Sequence, residues 1–517
     1  ENWISPVESI QTQNNCIGDH YYLSGDNMSN PGNPLRHSAL TRRTVIRGLG
    51  AASLAAATPR LLRAQNKSDV LIIGAGLSGL GAALLLQEAG INVQVIEGRN
   101  RIGGRVESLR NIPGNPEAGG TAFGPGYARL VDAANTHGTE LIDITPITPF
   151  FFDRQLVLDN EFISKQDWPT HSRNPFPESA KNSMPWMYLP LLLGSNNPLK
   201  TSDAWLTPRH ADLDVSLHEY LRNMGQTDET IEVAYNTSPA WGNSAHDVSA
   251  LMALSAHFFS GMQRQLAAGG KIMGYTARGG NQAIPEAMAG ALKNEVRLNQ
   301  QVIGIRSNSD GTEVHCANGT VYRADRVICS VPCSVLKRIR IDPMLRGAQA
   351  LAVETLESQL INQVHMIAKK PFWEADGLTP NMFTNSLCGM VVAEHKGNSP
   401  ADITSLTAWV RGHNAAWMDQ VDEQDAIAAV VADIERLRPA AKGQLEVAAY
   451  KSWYRDPFAS GDWAVWQPGQ ITKFADQVAI PHERIHFCGE HTAVSNRGME
   501  GALESGERVA LEVLNTT

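Results

Sequence analysis

The sequence predicts an α/β fold, and three consecutive features near residue 70 support that prediction. The apolar run VLII (residues 70–73) is typical of a central strand that is buried on both faces of a parallel sheet. It is followed by the glycine-rich turn GAGLSG (74–79) and by an apolar-rich helix that ends near Gly90. A second strand, NVQVIE (92–97), comes next. Strand, turn, helix and strand in this order form the βαβ unit of a sheet covered by helices.

The glycine-rich turn has the spacing G-x-G-x-x-G at Gly74, Gly76 and Gly79. In such a turn the first glycine allows the tight bend, the second lets the backbone approach a diphosphate, and the third lets the helix pack on the strand. The diphosphate then lies at the helix N-terminus. Glu97 follows 18 positions after Gly79, where a carboxylate accepts hydrogen bonds from both hydroxyls of an unphosphorylated adenosine ribose. The sequence therefore predicts a Rossmann-type dinucleotide-binding domain and disfavours NADP.

Length and charge limit the function classes that fit. A chain of 517 residues is long enough for two or three domains with a large buried core. The net charge is −9, and the chain contains no run of basic residues that would form a cationic stripe. We therefore predict no nucleic-acid partner.

The cysteines and histidines do not form a metal or redox motif. Cys329 and Cys333 bracket a Ser-Val-Pro segment without a second C-x-x-C pair, so we expect a buried pair at the end of a strand. His482, His486 and His491 include a four-residue spacing that shares one face only on a helix, and this segment is predicted to be a strand. We therefore predict no metal site.

The first 66 residues differ from the remainder. TRRTVIR (41–47) precedes a weakly apolar run too short to span a bilayer and a small-residue cleavage site. Residues 38–64 resemble a twin-arginine export signal, and a short basic helix is the alternative. A functional signal implies a periplasmic enzyme without an integral membrane span, and a non-functional one implies the cytoplasm. Translation from Met28 would place the arginines at a more usual distance from the terminus.

Residues 97–105 carry the pattern E-x-R-x-R-x-G-G-R. Two glycines beside an arginine let the backbone and a guanidinium close on a diphosphate from the side opposite the helix. This run resembles the flavin-dependent amine oxidase family, the monoamine oxidase-like group. The resemblance continues in EAGGT (117–121), and it is strongest in CGEHTAVSNRGMEGAL (488–503), which precedes and begins the last predicted helix.

The resemblance implies non-covalent FAD as the cofactor. The implied FAD-binding residues are Gly74, Gly76, Ser78, Gly79, Glu97, Arg99, Gly104, Arg105, Gly120, Val302, Trp453, Gly489, Glu490 and Met499.

The motifs also divide the chain. Residues 67–150, 271–345 and 455–517 are predicted to assemble one FAD-binding domain from three discontinuous segments. Residues 151–270 and 346–454 are predicted to form an inserted, mixed α+β substrate domain. Apolar residues recur at helical spacing near the end of the first insert, and residues 296–305 alternate as a strand.

The implied reaction is oxidation of the carbon next to an amine nitrogen, followed by hydrolysis of the imine to a carbonyl compound. Trp463 matches one aromatic of the family's substrate cage, but Arg497-Gly498 stands where the second aromatic is expected, so we expect a half-open cage and a bulkier amine. Asp462 stands where some members carry a flavin-linked cysteine, which is why non-covalent FAD is expected.

Gln363 matches the position of a lysine that holds water near the flavin and assists its reaction with oxygen. Because this charge is missing, either O2 or a periplasmic cytochrome is expected as the electron acceptor.

Two alternatives stay open at this point. An L-amino-acid oxidase needs an arginine for the substrate carboxylate, and the nearest candidate, Arg129, lies on a predicted helix several residues too late. A non-catalytic escort protein shares the fold but would not need the complete set of flavin motifs. We favour a secondary or bulky amine without a carboxylate, of the kind met in bacterial alkaloid breakdown, and we leave a homo-oligomer open.

Overall fold

The structure is a computed structural model, and it describes residues 67–236 and 242–516. The predicted leader (1–66), with the export signal at 38–64, and Trp241 lie outside the described residues.

The described residues form strands and helices that are numbered here in chain order. The strands are β1 (Lys67–Ile73), β2 (Val93–Ile96), β3 (Glu107–Ser108), β4 (Glu117–Gly119), β5 (Leu141–Asp143), β6 (Gln155–Leu158), β7 (Glu161–Ile163), β8 (Tyr275–Ala277), β9 (Val302–Asn308), β10 (Gly311–Cys316), β11 (Val321–Cys329), β12 (Arg340–Asp342), β13 (Glu357–Ser358), β14 (Ile361–Ala368), β15 (Met382–Thr384), β16 (Met390–Glu394), β17 (Ser405–Arg411), β18 (Leu445–Ser452), β19 (Ala464–Val465) and β20 (Ile485–Phe487). The α-helices are α1 (Leu77–Glu88), α2 (Ala128–Thr136), α3 (Thr148–Phe152), α4 (Pro185–Ser195), α5 (Leu217–Asn223), α6 (Asp228–Asn236), α7 (Ala250–Gly270), α8 (Ala283–Gly290), α9 (Cys333–Leu336), α10 (Gly347–Thr355), α11 (Phe372–Asp376), α12 (Gly412–Met418), α13 (Glu423–Leu437), α14 (Ile471–Phe474) and α15 (Gly498–Asn515).

The first sheet has the order β12-β9-β10-β11-β1-β2, and β20 also pairs with β11. Strand β1 lies parallel to both β2 and β11, and β20 lies parallel to the end of β11. Its strands come only from segments 67–150, 271–345 and 455–517 of the sequence. This sheet brings the glycine turn, the end of β11 and the C-terminal motif to one edge, since parallel strands end together.

Helices α1 and α15 cover one face of this sheet. Leu80 and Leu86 of α1 are buried in one apolar cluster with Leu503 and Val509 of α15. The helices cross closely, because a Cβ placed on Gly506 would lie 2.4 Å from the carbonyl oxygen of Ser78. The last helix is therefore held directly against the helix that starts the nucleotide motif.

The second sheet has the order β18-β14-β17-β16-β15-β6-β7. Its neighbours are antiparallel except for the parallel pair β15 and β6. Its strands come only from segments 151–270 and 346–454. Helices α4 and α7 belong to the first of these inserts, and they cover the cavity described below.

The strand predicted over residues 296–305 is wrong in its first half. Strand β9 begins only at Val302, and the preceding residues make a single isolated bridge, between Arg297 and Ile96. Asn299 has a φ of +58°, which interrupts the extended backbone before β9. The other motif strands and the final helix form where the sequence predicts them, within about three residues.

Within residues 67–236 and 242–516, no helix has the length and apolar character needed to cross a lipid bilayer.

Candidate active site

One cavity of about 2890 Å³ is lined by residues from the segments that form both sheets. Nearly all the predicted site residues border it. A drug-sized ligand occupies only about 300–1,000 Å³, so this cavity has room for a dinucleotide together with a substrate. Every predicted cofactor or catalytic residue borders it except Gly79. The sequence therefore brings together residues that lie up to about 425 positions apart in the chain, as Gly74 and Met499 do.

The glycine turn forms one wall of the cavity. Gly74 has a φ of +106°, which an L side chain rarely adopts. A Cβ on Gly104, at φ +61°, would lie 3.3 Å from the Cα of Gly76, so bare backbone from two segments lines the cavity here. A Cβ on Gly79 would lie 2.1 Å from the carbonyl oxygen of Gly74, which explains why Gly79 packs the helix on the strand and does not border the cavity.

Glu97 is fixed at the end of β2. Its side chain accepts hydrogen bonds from the backbone N–H groups of Ala75 and Arg99, each at 2.9 Å, and the residue is only 4% exposed. Arg99 is held in turn by Asp456 at 2.7 Å. A carboxylate held beside the turn can accept ribose hydroxyls, as the motif requires.

Arg105 and Glu490 join the first and last segments of the cofactor domain. Their side chains form an ion pair at 2.9 Å, and Arg105 also donates to the carbonyl oxygen of Asp462. Burial opposes ionisation of Glu490, but Arg105, His491 and the backbone N–H of Ala464 together lower its pKa. Glu490 is therefore an ionised carboxylate, and its Oε2 has no hydrogen-bond partner among the described residues.

Gln363 lies on β14 and borders the cavity from the second sheet. The residue is 1% exposed, and neither its Oε1 nor its Nε2 has a hydrogen-bond partner among the described residues. A buried amide without partners costs free energy, which suggests that a bound group completes its hydrogen bonds. Sequence reasoning placed Gln363 in the site, but it could not foresee that the amide is unpaired.

Trp463 and Gly498 both border the cavity and lie close to each other. A Cβ on Gly498 would lie 3.4 Å from Nε1 of Trp463, and Gly498 has a φ of +79°. The guanidinium of Arg497 lies 4.8 Å from the Trp463 ring centroid. The side that Gly498 leaves without an aromatic is therefore faced by a cation. Sequence reasoning placed Arg497 at this position but did not foresee that its guanidinium lies over the Trp463 ring.

Six further predicted residues border the cavity. Trp453 is buried, and its indole N–H donates to the carbonyl oxygen of Ala118 at 2.8 Å. The sulfur of Met499 lies 3.1 Å from where a Cβ on Gly120 would stand, so this turn must be glycine. Val302 opens β9 at the cavity's other end. Gly489 and Ser78 also border the cavity.

Asp462 precedes Trp463 and borders the same cavity. Burial raises the pKa of its carboxyl group to about 6, although Arg105 and Arg497 partly offset this effect and Glu490 adds to it. A group of this kind changes its charge in the mildly acidic range.

The substrate end of the cavity is lined largely by α4 and α7. Met187 and Leu191 of α4 and Phe259 of α7 form an apolar wall. His257 of α7 also borders it, and burial lowers the pKa of its imidazole to about 4, so it is neutral. Sequence reasoning missed His257, because a single histidine in an apolar helix gives no functional signal.

Arg129, the candidate carboxylate binder, does not border the cavity. Its guanidinium pairs with Glu500 at 3.1 Å and with Glu507 at 2.8 Å, both on α15. Arg129 therefore joins α2 to α15.

The histidines and cysteines that the sequence analysis considered as metal ligands contact other groups or are buried. His486 contacts Glu512, and Nε2 of His482 hydrogen-bonds the carbonyl oxygen of Pro343 at 2.7 Å. Cys329 and Cys333 are buried free thiols, and burial raises the pKa of each to about 12. In the part of the chain that the structure describes, no group of three or more His, Cys, Asp or Glu side chains could hold a metal ion.

The residues present fit a flavin dinucleotide. Bare glycine backbone on two sides suits a diphosphate, Glu97 suits a ribose, and the unpaired Oε2 of Glu490 suits a hydroxyl of the ribityl chain.

Known proteins agree with this arrangement. Residues 77–514 match the family described as flavin containing amine oxidoreductase. Human flavin-containing amine oxidase B is 25% identical over 481 residues, which cover 87% of this chain and 87% of that enzyme. The L-amino-acid oxidase of Demansia vestigiata is 24% identical over 475 residues, which cover 88% of this chain and 89% of that enzyme. A solved structure of wild-type putrescine oxidase bound to putrescine has a TM-score of 0.70 and 26% identity, covering 87% of this chain and 99% of that one.

The structure of cyclohexylamine oxidase from Brevibacterium oxydans also has a TM-score of 0.70, and at 21% identity it shows the fold alone. The chain therefore belongs to the flavin-containing amine oxidoreductase family, and it is a flavin-dependent enzyme that acts on amines.

Proposed function

We propose that this enzyme oxidises the C–N bond of a secondary or bulky amine without a carboxylate, giving an imine that hydrolyses to an aldehyde or ketone. The observation that carries the proposal is the position of Trp463. Its indole borders the same cavity as Glu490, Arg105 and the glycine turn, and it lies against Gly498 at the start of the last helix. An aromatic wall at this place orients an amine between itself and the cofactor end.

FAD, when bound, supplies the acceptor for the two electrons removed from the substrate. The chain's own residues prepare the site for that transfer. The apolar wall from α4 and α7 excludes water and favours the neutral amine, which is the form that can react. The N-terminus of α15 at Gly498 borders the cavity, and its backbone N–H groups and positive dipole end stabilise negative charge there.

Two observations support an amine without a carboxylate. Arg129 is committed to Glu500 and Glu507, so it is not available to a substrate. Putrescine oxidase, whose structure is 26% identical to this chain, is named for an amine that carries no carboxylate. The large cavity suits a substrate with a bulky group next to the nitrogen, such as an alkaloid-derived amine.

An L-amino-acid oxidase is the second candidate, and Arg497 is the observation that favours it. Its guanidinium borders the cavity beside Trp463, where it could face a substrate carboxylate. The similarity to the Demansia vestigiata enzyme supports the same reading.

Three further properties belong to the proposal. The carboxyl group of Asp462 cannot form the thioether that a cysteine would, so FAD is held without a covalent bond. Gln363 brings no charge to the cavity, so we propose that either O2 or a periplasmic cytochrome reoxidises the flavin. The segment 38–64 is proposed to direct export of the folded protein to the periplasm.

In the central experiment the purified yellow protein is mixed with each compound under anaerobic conditions. Reduction is measured as the loss of flavin absorbance. The compounds are 2-phenylethylamine, its N-methyl derivative and L-phenylalanine, which share one aromatic group. We expect the two amines to reduce the flavin and the amino acid to react at least about tenfold more slowly, the size of one unpaired carboxylate contact. Faster reduction by the amino acid would establish the second candidate, and a protein that neither contains nor binds FAD would refute both.

The remaining properties need separate measurements. Acid precipitation should release the flavin into the supernatant if the bond is non-covalent. Reoxidation of the reduced enzyme by O2 and by cytochrome c is compared in the wild type and in Gln363→Lys. An unchanged rate with O2 in the variant would contradict the role given to Gln363. Cell fractionation of the wild type and an Arg42→Lys, Arg43→Lys variant tests export.

A further inference from the structure

His257 is a buried polar side chain on the wall that α7 (Ala250–Gly270) contributes to the cavity. The residue borders the cavity, is only 8% exposed, and stands two positions before the apolar Phe259. Neither ring nitrogen of His257 has a hydrogen-bond partner among the described residues. Buried polar groups in native proteins are nearly always hydrogen-bonded, so we expect a partner for this imidazole from a molecule in the cavity.

The facing helix α4 (Pro185–Ser195) leaves room for the imidazole. Gly194 of α4 borders the same cavity, and a Cβ at this position would lie 2.9 Å from Nε2 of His257 and 3.4 Å from its Cε1. The imidazole therefore occupies the space that any larger residue at position 194 would need. The ring reaches from α7 to α4 at the wall of the cavity.

The imidazole of His257 is uncharged at neutral pH. Burial and, to a smaller extent, the positive charge of Arg264 lower its pKa to about 4. A neutral imidazole offers one N–H donor and one acceptor nitrogen. His257 can therefore donate to an uncharged polar group, but it brings no charge that would hold a carboxylate.

Helix α7 leads from the Trp463 end of the cavity toward solvent. Ala256 lines a small hollow beside the cavity together with Ala464, the residue after Trp463. Arg264, about two turns further along α7, borders the cavity and is exposed. Eight residues of α-helix span about 12 Å. His257 therefore lies at the inner end of this path, where an amine held beside Trp463 would place the rest of its carbon skeleton.

A bulky substrate changes the hydrogen bonds open to His257. Water in the cavity of the free enzyme can accept a hydrogen bond from the imidazole N–H. A substrate that packs against Met187 and Leu191 displaces this water, and displacing an ordered water costs affinity unless the ligand reproduces its hydrogen bond. An N–H left unpaired in this way weakens binding by about fivefold or more. The wall therefore favours a ligand that carries its own acceptor.

We propose that His257 is a specificity-determining residue, which donates a hydrogen bond to an uncharged acceptor on the substrate's carbon skeleton, away from the reacting amine. The role of His257 rests on the proposed amine oxidation, and it narrows the substrate class to amines with such an acceptor, for example a ring nitrogen or a carbonyl oxygen. An amine whose bulky group is purely hydrocarbon leaves the imidazole without a partner. The few polar groups of an apolar site commonly fix the orientation of its ligand in this way.

The test compares pairs of amines that differ in one ring atom. Each pair consists of a phenylalkylamine and the pyridin-3-ylalkylamine with the same chain, and chains of different length place the ring nitrogen at different depths along α7. Anaerobic stopped-flow reduction of the holoenzyme, at a mildly alkaline pH where the pyridine is uncharged, gives the limiting rate and the apparent dissociation constant. The same pairs are titrated into the oxidised holoenzyme, where the change in the flavin spectrum measures binding without turnover.

Two substitutions at His257 separate hydrogen bonding from packing. His257→Leu removes both ring nitrogens and keeps an apolar side chain of similar bulk. In at least one pair it should shift the ratio of dissociation constants toward the phenyl compound by about fivefold or more, because the pyridine nitrogen is then buried without a donor. His257→Gln restores an N–H donor and should recover most of that shift.

Two further variants test the position of the ring. Gly194→Ala places a Cβ against Nε2 of His257, so it should displace the imidazole and shift the same ratio by about threefold or more. Ser260→Ala is the matched control on α7. Ser260 borders the cavity, but its hydroxyl already donates to the carbonyl oxygen of Ala256 at 2.9 Å, so the ratio should stay unchanged.

The outcomes separate the role of His257 from the proposed function. A shift below fivefold with His257→Leu in every pair overturns that role, and so does an equal shift with Ser260→Ala. FAD content and melting temperature show whether each variant has folded, and if His257→Leu loses FAD, the shift with Gly194→Ala decides. A yellow protein that binds these compounds but that no amine reduces contradicts the proposed function, while the binding ratios still measure the hydrogen bond from His257.

Discussion

Replacing Gln363 by methionine should stabilise the protein in the absence of FAD and weaken its response to FAD. The side chains have similar length, but methionine removes two polar atoms. Both atoms of the Gln363 amide are buried without partners among the described residues, in a residue that is 1% exposed. An unsatisfied buried polar group costs about 1–3 kcal/mol, so removing the amide should raise the free energy of unfolding by about that amount.

For a chain of this size, each kcal/mol corresponds to about 1–2 °C in melting temperature, so an increase of about 2 °C is expected without FAD. Thermal melting with and without saturating FAD is the assay. With FAD the variant should gain less stability than the wild type, because the amide no longer contributes a hydrogen bond to the bound state. Asn362→Leu is the matched control, since Asn362 is the neighbour on β14 that points to the opposite face and donates to the carbonyl oxygen of Ala415 at 3.0 Å.

The control should be destabilised with and without FAD alike. A Gln363→Met protein that melts below the wild type without FAD would refute the reasoning, because the amide would then have native partners. An unchanged FAD response would show that the amide does not serve the bound cofactor.

Three further predictions concern Trp463, Asp462 and Arg129. Trp463→Ala should lower the anaerobic rate of flavin reduction by at least about tenfold and leave FAD content unchanged, because the proposed function places the ring beside the substrate. Equal losses of rate and FAD content would show that Trp463 serves packing instead. Asp462→Asn should stabilise the FAD-free protein at neutral pH by about 3 kcal/mol, because folding raises the pKa of the carboxyl group from 3.8 to about 6. Folding disfavours the ionised form of Asp462, so the stability gained by Asp462→Asn is absent below pH 3.8, grows as the unfolded chain ionises and is complete above about pH 6. If the difference in melting temperature between variant and wild type stays constant across this pH range, the raised pKa is contradicted. Arg129→Met should lower the melting temperature without changing the preference between 2-phenylethylamine and L-phenylalanine, because its partners are Glu500 and Glu507.

Local sequence patterns predicted the cofactor end of the site because each of its parts depends on neighbouring residues. The turn at Gly74 needs a positive φ, and Glu97 is placed by the strand that ends before it. The two-residue register of β14 similarly places Gln363 toward the cavity once that strand is recognised. These features follow from short stretches of sequence and from the resemblance to a family.

The parts that sequence reasoning missed depend on packing between distant segments. Trp463 directly precedes β19, and Arg497 directly precedes α15. Neither stretch of sequence predicts that the guanidinium of Arg497 lies over the Trp463 ring. The position of His257 on the cavity wall depends on how α7 lies against α4, where a Cβ on Gly194 would lie 2.9 Å from its Nε2. The irregular residues before β9 were predicted as strand because alternation alone cannot detect the left-handed backbone at Asn299.

The pairing of β1 with β11, and of β11 with β20, has a consequence for the order of events during synthesis. The first strand of the central sheet pairs early with β2, but its other neighbour, β11, follows about 250 residues later, and β11 in turn waits about 160 residues for β20. Glu490 and Arg497 follow within ten residues of the end of β20, so residues 485–517 complete the sheet and the cavity together. A ribosome that stops before this tail releases a chain with neither a finished sheet nor a finished binding site. Quality control that detects the open edge of β11 would therefore remove the inactive products as well.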